Sequence, residues 1–196
     1  MFFERTKEKI AKWFMMHAEG PRAKLWLVII SFTESSIFPI PPDPFLMAIL
    51  LVKKDKWLRY SLLVAVSSVA GGLFGYAIGF LFFDLFGNPI VSFYNLEPQL
   101  ISAQTLFNEN AFWAIFTAAF TPVPYKIFTI AGGLFHINLI VFILASVLGR
   151  GIRFLIIGFL MNVFGERIGK IIVKYFNTAT LVAVLVIVIY ILFKIF

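Results

Sequence analysis

The chain has no cysteine, which excludes a disulfide framework and thiolate metal sites. It has two histidines, His17 and His136, too few for most zinc chemistry. Charge is scarce: 14% of 196 residues, where a soluble domain carries about a quarter. Acids are scarcer than bases, 10 against 17, for a formal net charge of +7. No Ser-His-Asp set, metal-ligand cluster or phosphate-cradling glycine loop is readable, so neither an enzyme nor a cofactor is expected. Apolar residues are plentiful instead. They make up 61% of the chain, 25 of them phenylalanine, and the mean hydropathy is +0.94. One core of this size cannot bury that excess. Soluble globular, disordered and coiled-coil classes are set aside, and the bilayer is the expected solvent. The positive charge then suits anionic lipid headgroups rather than nucleic acid.

Residues 4–24 hold six basic and three acidic side chains, and no cleavable signal is visible. Segment 1–24 reads as an amphipathic interfacial helix, with Phe3, Ile10, Trp13 and Phe14 on one face. The long apolar stretches are 25–52, 57–83, 111–135, 137–163 and 178–193. Basic residues fix their topology. Arg5, Lys7, Lys9, Lys12, Arg22 and Lys24 precede the first stretch, and Lys53, Lys54, Lys56 and Arg59 follow it. Both groups belong in the cytoplasm under the positive-inside rule. The stretch between them therefore crosses an even number of times.

Its middle explains how. Phe38-Pro39-Ile40-Pro41-Pro42-Asp43-Pro44 has four prolines in seven positions, through which no helix runs. Segment 25–52 is expected to be a re-entrant hairpin. Segment 57–83 crosses outward to a loop, 84–110, that holds Asp84, Glu97 and Glu109 but no base. Segment 111–135 breaks at Pro122-Val123-Pro124 and reads as a second re-entrant hairpin, from the outer face. Segment 137–163 crosses inward and delivers Arg167, Lys170 and Lys174 to a cytoplasmic segment, 164–177. Residues 178–196 form a final membrane helix. The expected fold is an all-α integral membrane protein with its N-terminus in the cytoplasm.

The halves share this plan in opposite orientations, which predicts an inverted repeat. Pro39-Ile40-Pro41 lies 83 positions before Pro122-Val123-Pro124. An offset of 78 aligns Ser68-Val69 with Ser146-Val147, and Gly71 with Gly149. Transporters built from inverted repeats bind substrate where broken helices meet. The first offset places Asp43 on Lys126, so a carboxylate and an ammonium are expected to meet near mid-membrane.

Five ionisable side chains fall in the membrane segments: Glu34, Asp43, Lys126, Arg150 and Arg153. Such groups mark pathways or pairs. Glu34 and Lys126 can also snorkel to an interface, and Asp43 can cap the second arm of its hairpin. Arg150 and Arg153, at i and i+3, serve either as anchors for the two acids or as a cationic wall for phosphate. Two acids against three bases leave a net +1, which welcomes an anionic headgroup. Low dielectric favours the protonated form of a carboxyl group, so Glu34 and Asp43 are candidates for proton coupling. Gly71, Gly72, Gly75 and Gly79 suit close helix packing. Gly132 and Gly133 suit either packing or a hinge. Thr33, Ser35 and Ser36 are read as backbone hydrogen-bonders. Trp13, Trp26, Trp57 and Trp113 fall near expected interfaces.

Glu34-Ser35-Ser36 followed by Phe38-Pro39-Ile40-Pro41-Pro42-Asp43 resembles the first hairpin of the DedA superfamily, the SNARE-associated or VTT-domain proteins. Gly71-Gly72-Leu73-Phe74-Gly75-Tyr76, the run from Thr121 to Gly133, and Gly149-Arg150-Gly151-Ile152-Arg153-Phe154 follow in order and resemble its YqaA-like branch. The resemblance covers roughly 25–177. It implies two facing re-entrant hairpins, a bacterial inner membrane, and flipping or scrambling of phospholipids or polyprenyl phosphates, often held to be proton-linked. Functional acids of the family match Glu34 and Asp43. Better-studied branches carry two arginines in the second hairpin. Lys126 is the counterpart of one, and Phe120 and Thr121 occupy the stretch of the other, so Arg150 and Arg153 are candidates to supply the missing charge. A proton-coupled carrier of a small ion or solute, and a non-transporting homeostasis or assembly factor, stay open. So does a homo-oligomer.

Overall fold

A computed structural model of the chain describes residues 16–18, 20–38, 40–83, 85, 88–93 and 97–165. The interfacial helix expected over the first residues, Pro39, Asp84, and the segments from 166 to the C-terminus lie outside the described residues. The described residues are all helical or irregular, with no strand among them. Eight α-helices lie wholly within the described residues: α1 (Ala23–Ser36), α2 (Asp43–Val52), α3 (Trp57–Phe82), α4 (Asn88–Phe93), α5 (Glu97–Glu109), α6 (Ala111–Phe120), α7 (Tyr125–Leu134) and α8 (Leu139–Phe164).

Among the described residues, α3 and α8 are the two helices long and apolar enough to cross a membrane. Each has 26 residues. At about 1.5 Å per residue that is roughly 39 Å, more than a hydrocarbon core of about 30 Å. α8 starts where Asn138 accepts hydrogen bonds from the amides of Ile140 and Val141. It ends at Gly165, whose φ of +56° suits glycine. The apolar side chains on these helices are not all covered. Val66 and Ile140, for instance, are two-thirds exposed, as a lipid-facing surface requires.

Proline breaks the other apolar stretches in two. α1 stops at Ser36, and α2 restarts at Asp43 with Pro42 before it and Pro44 in its first turn. α6 stops at Phe120, and α7 restarts after Pro124. Side-chain hydrogen bonds link the segments on either side of each broken helix. Lys53 Nζ, just after α2, donates to the Ala18 carbonyl, ahead of α1, at 3.3 Å. Gln104 Nε2, in the helix that leads to α6, donates to the Phe135 carbonyl, just after α7, at 3.1 Å. The two links lie at opposite ends of α3. Lys53 joins its N-terminal end through the short 3-10 turn Lys54–Lys56. Near its C-terminal end, Phe80 packs on His136 with ring centroids 4.6 Å apart.

Two apolar cores result. Leu27, Phe45, Leu46, Val64, Phe154 and Met161 build one around the first broken helix. Ile115, Ala119, Tyr125, Phe142 and Ala145 build the other around the second. Along both long helices the buried residues between the cores are small or polar: Ser67, Ser68 and Gly71 on α3, and Ser146, Gly149, Arg150 and Arg153 on α8. The expected loop 84–110 differs from the structure, which gives it α4 and α5. Proline is the second residue of each, at Pro89 and Pro98. There its missing N–H costs nothing.

Candidate functional site

α1 ends in a run of hydroxyl side chains. Thr33 Oγ1 donates to the Ile29 carbonyl at 2.7 Å, and Ser36 Oγ to the Phe32 carbonyl at 3.0 Å. Ser35 Oγ lies 2.7 Å from Ser68 Oγ on α3 and 3.1 Å from Glu34 Oε2. The last turn of α1 is thereby held on α3. Close approach needs glycine. A Cβ at Gly71 would strike the Phe32 carbonyl, and one at Gly75 the Thr129 hydroxyl. At Gly72 it would come within 2.7 Å of Tyr125 Oη. Gly79 and Gly133 seat α3 against α7 in the same way, facing the Ile130 and Tyr76 carbonyls. Gly132 has only ordinary contacts.

The two breaks meet beside this seam. Thr129 Oγ1 lies 3.3 Å from the Ser35 carbonyl. Lys126 Nζ donates to the Ile37 carbonyl at 3.4 Å. Arg153 Nη1 donates to the Phe120 carbonyl at 3.1 Å. Ile37 follows α1 and Phe120 ends α6, where carbonyls lack intrahelical partners. Cations at these C-terminal ends satisfy them and complement both helix dipoles.

α8 passes across the breaks and pairs with both acids. Arg153 Nη2 and Nε donate to Asp43 Oδ1 at 2.9 and 3.1 Å. Arg150 Nη2 donates to Glu34 Oε2 at 3.2 Å. The Arg150 guanidinium lies over the Tyr125 ring, 4.2 Å from its centroid. Asp43 and both arginines are buried. All five ionisable residues line one pocket of about 190 Å³, with Pro41, Thr121, Pro122, Val123 and Pro124. Its five ionisable side chains suit a polar, charged group.

Of the two partners expected for Asp43, Lys126 and the arginine pair of α8, the structure shows an arginine, and Arg150 likewise anchors Glu34. Asp43 and Lys126 share the pocket, but the ion pair of Asp43 is with Arg153. The guanidinium fork places two N–H groups on one carboxylate oxygen, which a single ammonium does less well. Asp43 is the first residue of α2 rather than its N-cap, which is Pro42. Of the proline-break residues, Pro41, Pro122 and Pro124 reach the pocket wall, while Pro42 and Pro44 shape the start of α2. Sequence reasoning gave no role to Tyr125, the platform for Arg150. It also missed the Ile37 and Phe120 carbonyls. The break positions alone could have pointed to those carbonyls.

A VTT domain model matches residues 35–163, well over half of the chain. The chain belongs to the VTT-domain family. The match opens at Ser35 and closes one residue before the end of α8, so it spans both breaks and both long helices. A Haemophilus influenzae protein described as uncharacterized is 34% identical over 145 residues, 74% of this chain and 75% of its own length. One from Histophilus somni, also described as uncharacterized, is 31% identical over 153 residues, 78% and 80% of the two lengths. No solved structure matches the chain. The VTT-domain family is membrane-associated, in keeping with the two long apolar helices and their exposed apolar faces.

Proposed function

We propose that this VTT-domain protein moves a phosphate-bearing lipid headgroup, of a phospholipid or a polyprenyl phosphate, across the bilayer. In this reading the two broken helices are re-entrant hairpins of an inverted repeat, entering from opposite faces, and the headgroup passes between their tips. One observation carries the reading: three cations and two carboxylates from four helices line one small pocket where the breaks meet. Charge in oil is costly unless paired or used. Two of the cations are paired, and the remaining +1 favours an anion. The helix ends add to that preference. Asp43 balances the positive N-terminal end of α2, whereas α7 carries Lys126 there instead. The charged pocket lining and the exposed apolar faces of α3 and α8 suit a headgroup inside with its chains left in lipid. Glu34 and Asp43 are the carboxyl groups proposed to couple the passage to protons. The expected setting is the bacterial inner membrane, with the N-terminus in the cytoplasm.

Flipping of headgroup-labelled lipids by the purified chain in proteoliposomes, across a pH gradient, tests this. Wild type should redistribute phosphate-bearing lipids, and Asp43→Asn should slow them at least about tenfold. Thermal unfolding should confirm that the variant is folded. Movement of a soluble ion without lipid, or full activity of the folded variant, would overturn the reading.

A further inference from the structure

Arg150 and Arg153 stand one turn apart on α8, yet they are held very differently. Each of the three guanidinium nitrogens of Arg153 donates a hydrogen bond, Nε and Nη2 to Asp43 and Nη1 to the Phe120 carbonyl. These bonds tie α2, α6 and α8 together. Arg150 makes one hydrogen bond among the described residues, to Glu34. Its Nε is buried without a partner, although the residue is only 3% exposed. A guanidinium offers five N–H donors, and burying them unpaired is costly. The Tyr125 ring supports one flat face of Arg150 but accepts none of these donors conventionally. The acids differ in parallel. The Glu34 side chain is 15% exposed and that of Asp43 2%. The Oε2 atom that holds Arg150 is also within reach of the Ser35 hydroxyl.

Resting on the anion-transport reading above, we infer that Arg150 takes the entering oxyanion in exchange for Glu34, whereas Arg153 is a positioning residue that clips both breaks to α8. The ligand chemistry is a phosphate mono- or diester. Two of its oxygens side by side match the guanidinium fork and supply the acceptors Arg150 lacks. Lys126 adds a second charge at the pocket wall. Its 3.4 Å bond to the Ile37 carbonyl is long and readily exchanged. Glu34 is then an internal competitor for the site, and Asp43 is not.

Titration calorimetry on the detergent-purified full chain tests this, with dioctanoyl phosphatidic acid and inorganic phosphate as probes. Glu34→Gln removes the competing charge and should tighten phosphatidic acid binding about tenfold. Arg150→Lys keeps the charge but loses the fork, and should weaken binding about tenfold or more. Asp43→Asn and Arg153→Lys should lower the thermal midpoint with no gain in affinity. Inorganic phosphate bound in the same variant order assigns recognition to the phosphate alone. Phosphatidic acid bound without it assigns recognition to the whole lipid. Both outcomes support Arg150. If Glu34→Gln binds no tighter, or Arg150→Lys binds as wild type does, the assignment to Arg150 falls while the anion reading stands. If folded wild type binds neither probe, both fall.

Discussion

The first broken helix brings two carboxylates to the pocket and no cation, whereas the second brings Lys126 and no carboxylate. Their backbones are alike: about ten residues or more of apolar helix, a Pro-x-Pro break, and a second short helix. The charges are not alike. If both carried acids, the meeting tips would repel each other in a medium that screens little. Both arginines come instead from α8 and reach across to the first break. A repeated scaffold with unequal charges can therefore close on itself and still leave one pocket cation, Lys126, without a carboxylate partner among the described residues. Likeness in the backbone sets where the tips meet. Difference in charge sets what the meeting place can hold.

The largest effect should come from removing one side of the deeper ion pair. Arg153→Ala strands the Asp43 carboxylate, whose side chain is 2% exposed. Breaking a buried pair on one side costs about 3–5 kcal/mol. Unfolding in detergent should show that loss. Replacing both partners by apolar residues, Asp43→Leu with Arg153→Met, should recover most of it. The double variant separates closure from binding. If the pair only closes the tips, the double variant folds and still moves lipid. If charge at the first break is needed for passage, it folds and moves none.

Much of this was legible in the sequence, for identifiable reasons. The expected spans, 57–83 and 137–163, fall within two residues of α3 and α8 at each end, because long apolar runs bounded by charge or by Asn138 have few alternatives. Both breaks were legible because proline cannot continue a helix. The pairing of Asp43 was legible only as alternatives, an arginine anchor from α8, which the structure shows, or, by the repeat offset, Lys126. A repeat offset aligns backbone positions, but three cations can reach the tips, and hydrogen-bonding geometry decides among them. α4 and α5 were hidden because their segment lacks strong periodicity, although Asn88-Pro89 and Glu97-Pro98 are recognisable helix starts. Tyr125 was overlooked because its role depends on α8 lying above it, which no local pattern encodes.

A middle-sized effect should mark where the second broken helix is seated. Gly79→Ala places a methyl group against the Ile130 carbonyl, so α3 and α7 must separate. Overpacking of this kind costs about 1–3 kcal/mol. The thermal midpoint should fall, and the effect should be greater than at Gly132, where an added methyl meets only side-chain atoms at 3.4 Å or beyond. Equal effects at the two positions would mean that the seam between α3 and α7 yields more than its backbone contacts suggest.

The smallest effect is expected at Gly151, between the two arginines. A Cβ there meets nothing within 4 Å. Alanine should stabilise α8 by up to about 0.5–1 kcal/mol through helix propensity. That makes Gly151→Ala a sensitive probe of motion. If Arg150 exchanges partners by side-chain rotation alone, lipid movement stays at the wild-type rate while stability rises slightly. If α8 must bend between Arg150 and Arg153 for the two pairs to act separately, the rate falls although nothing is sterically blocked. A rigid α8 would leave the difference between the two arginines entirely in their hydrogen bonds. A bending α8 would place part of it in the one glycine that separates them.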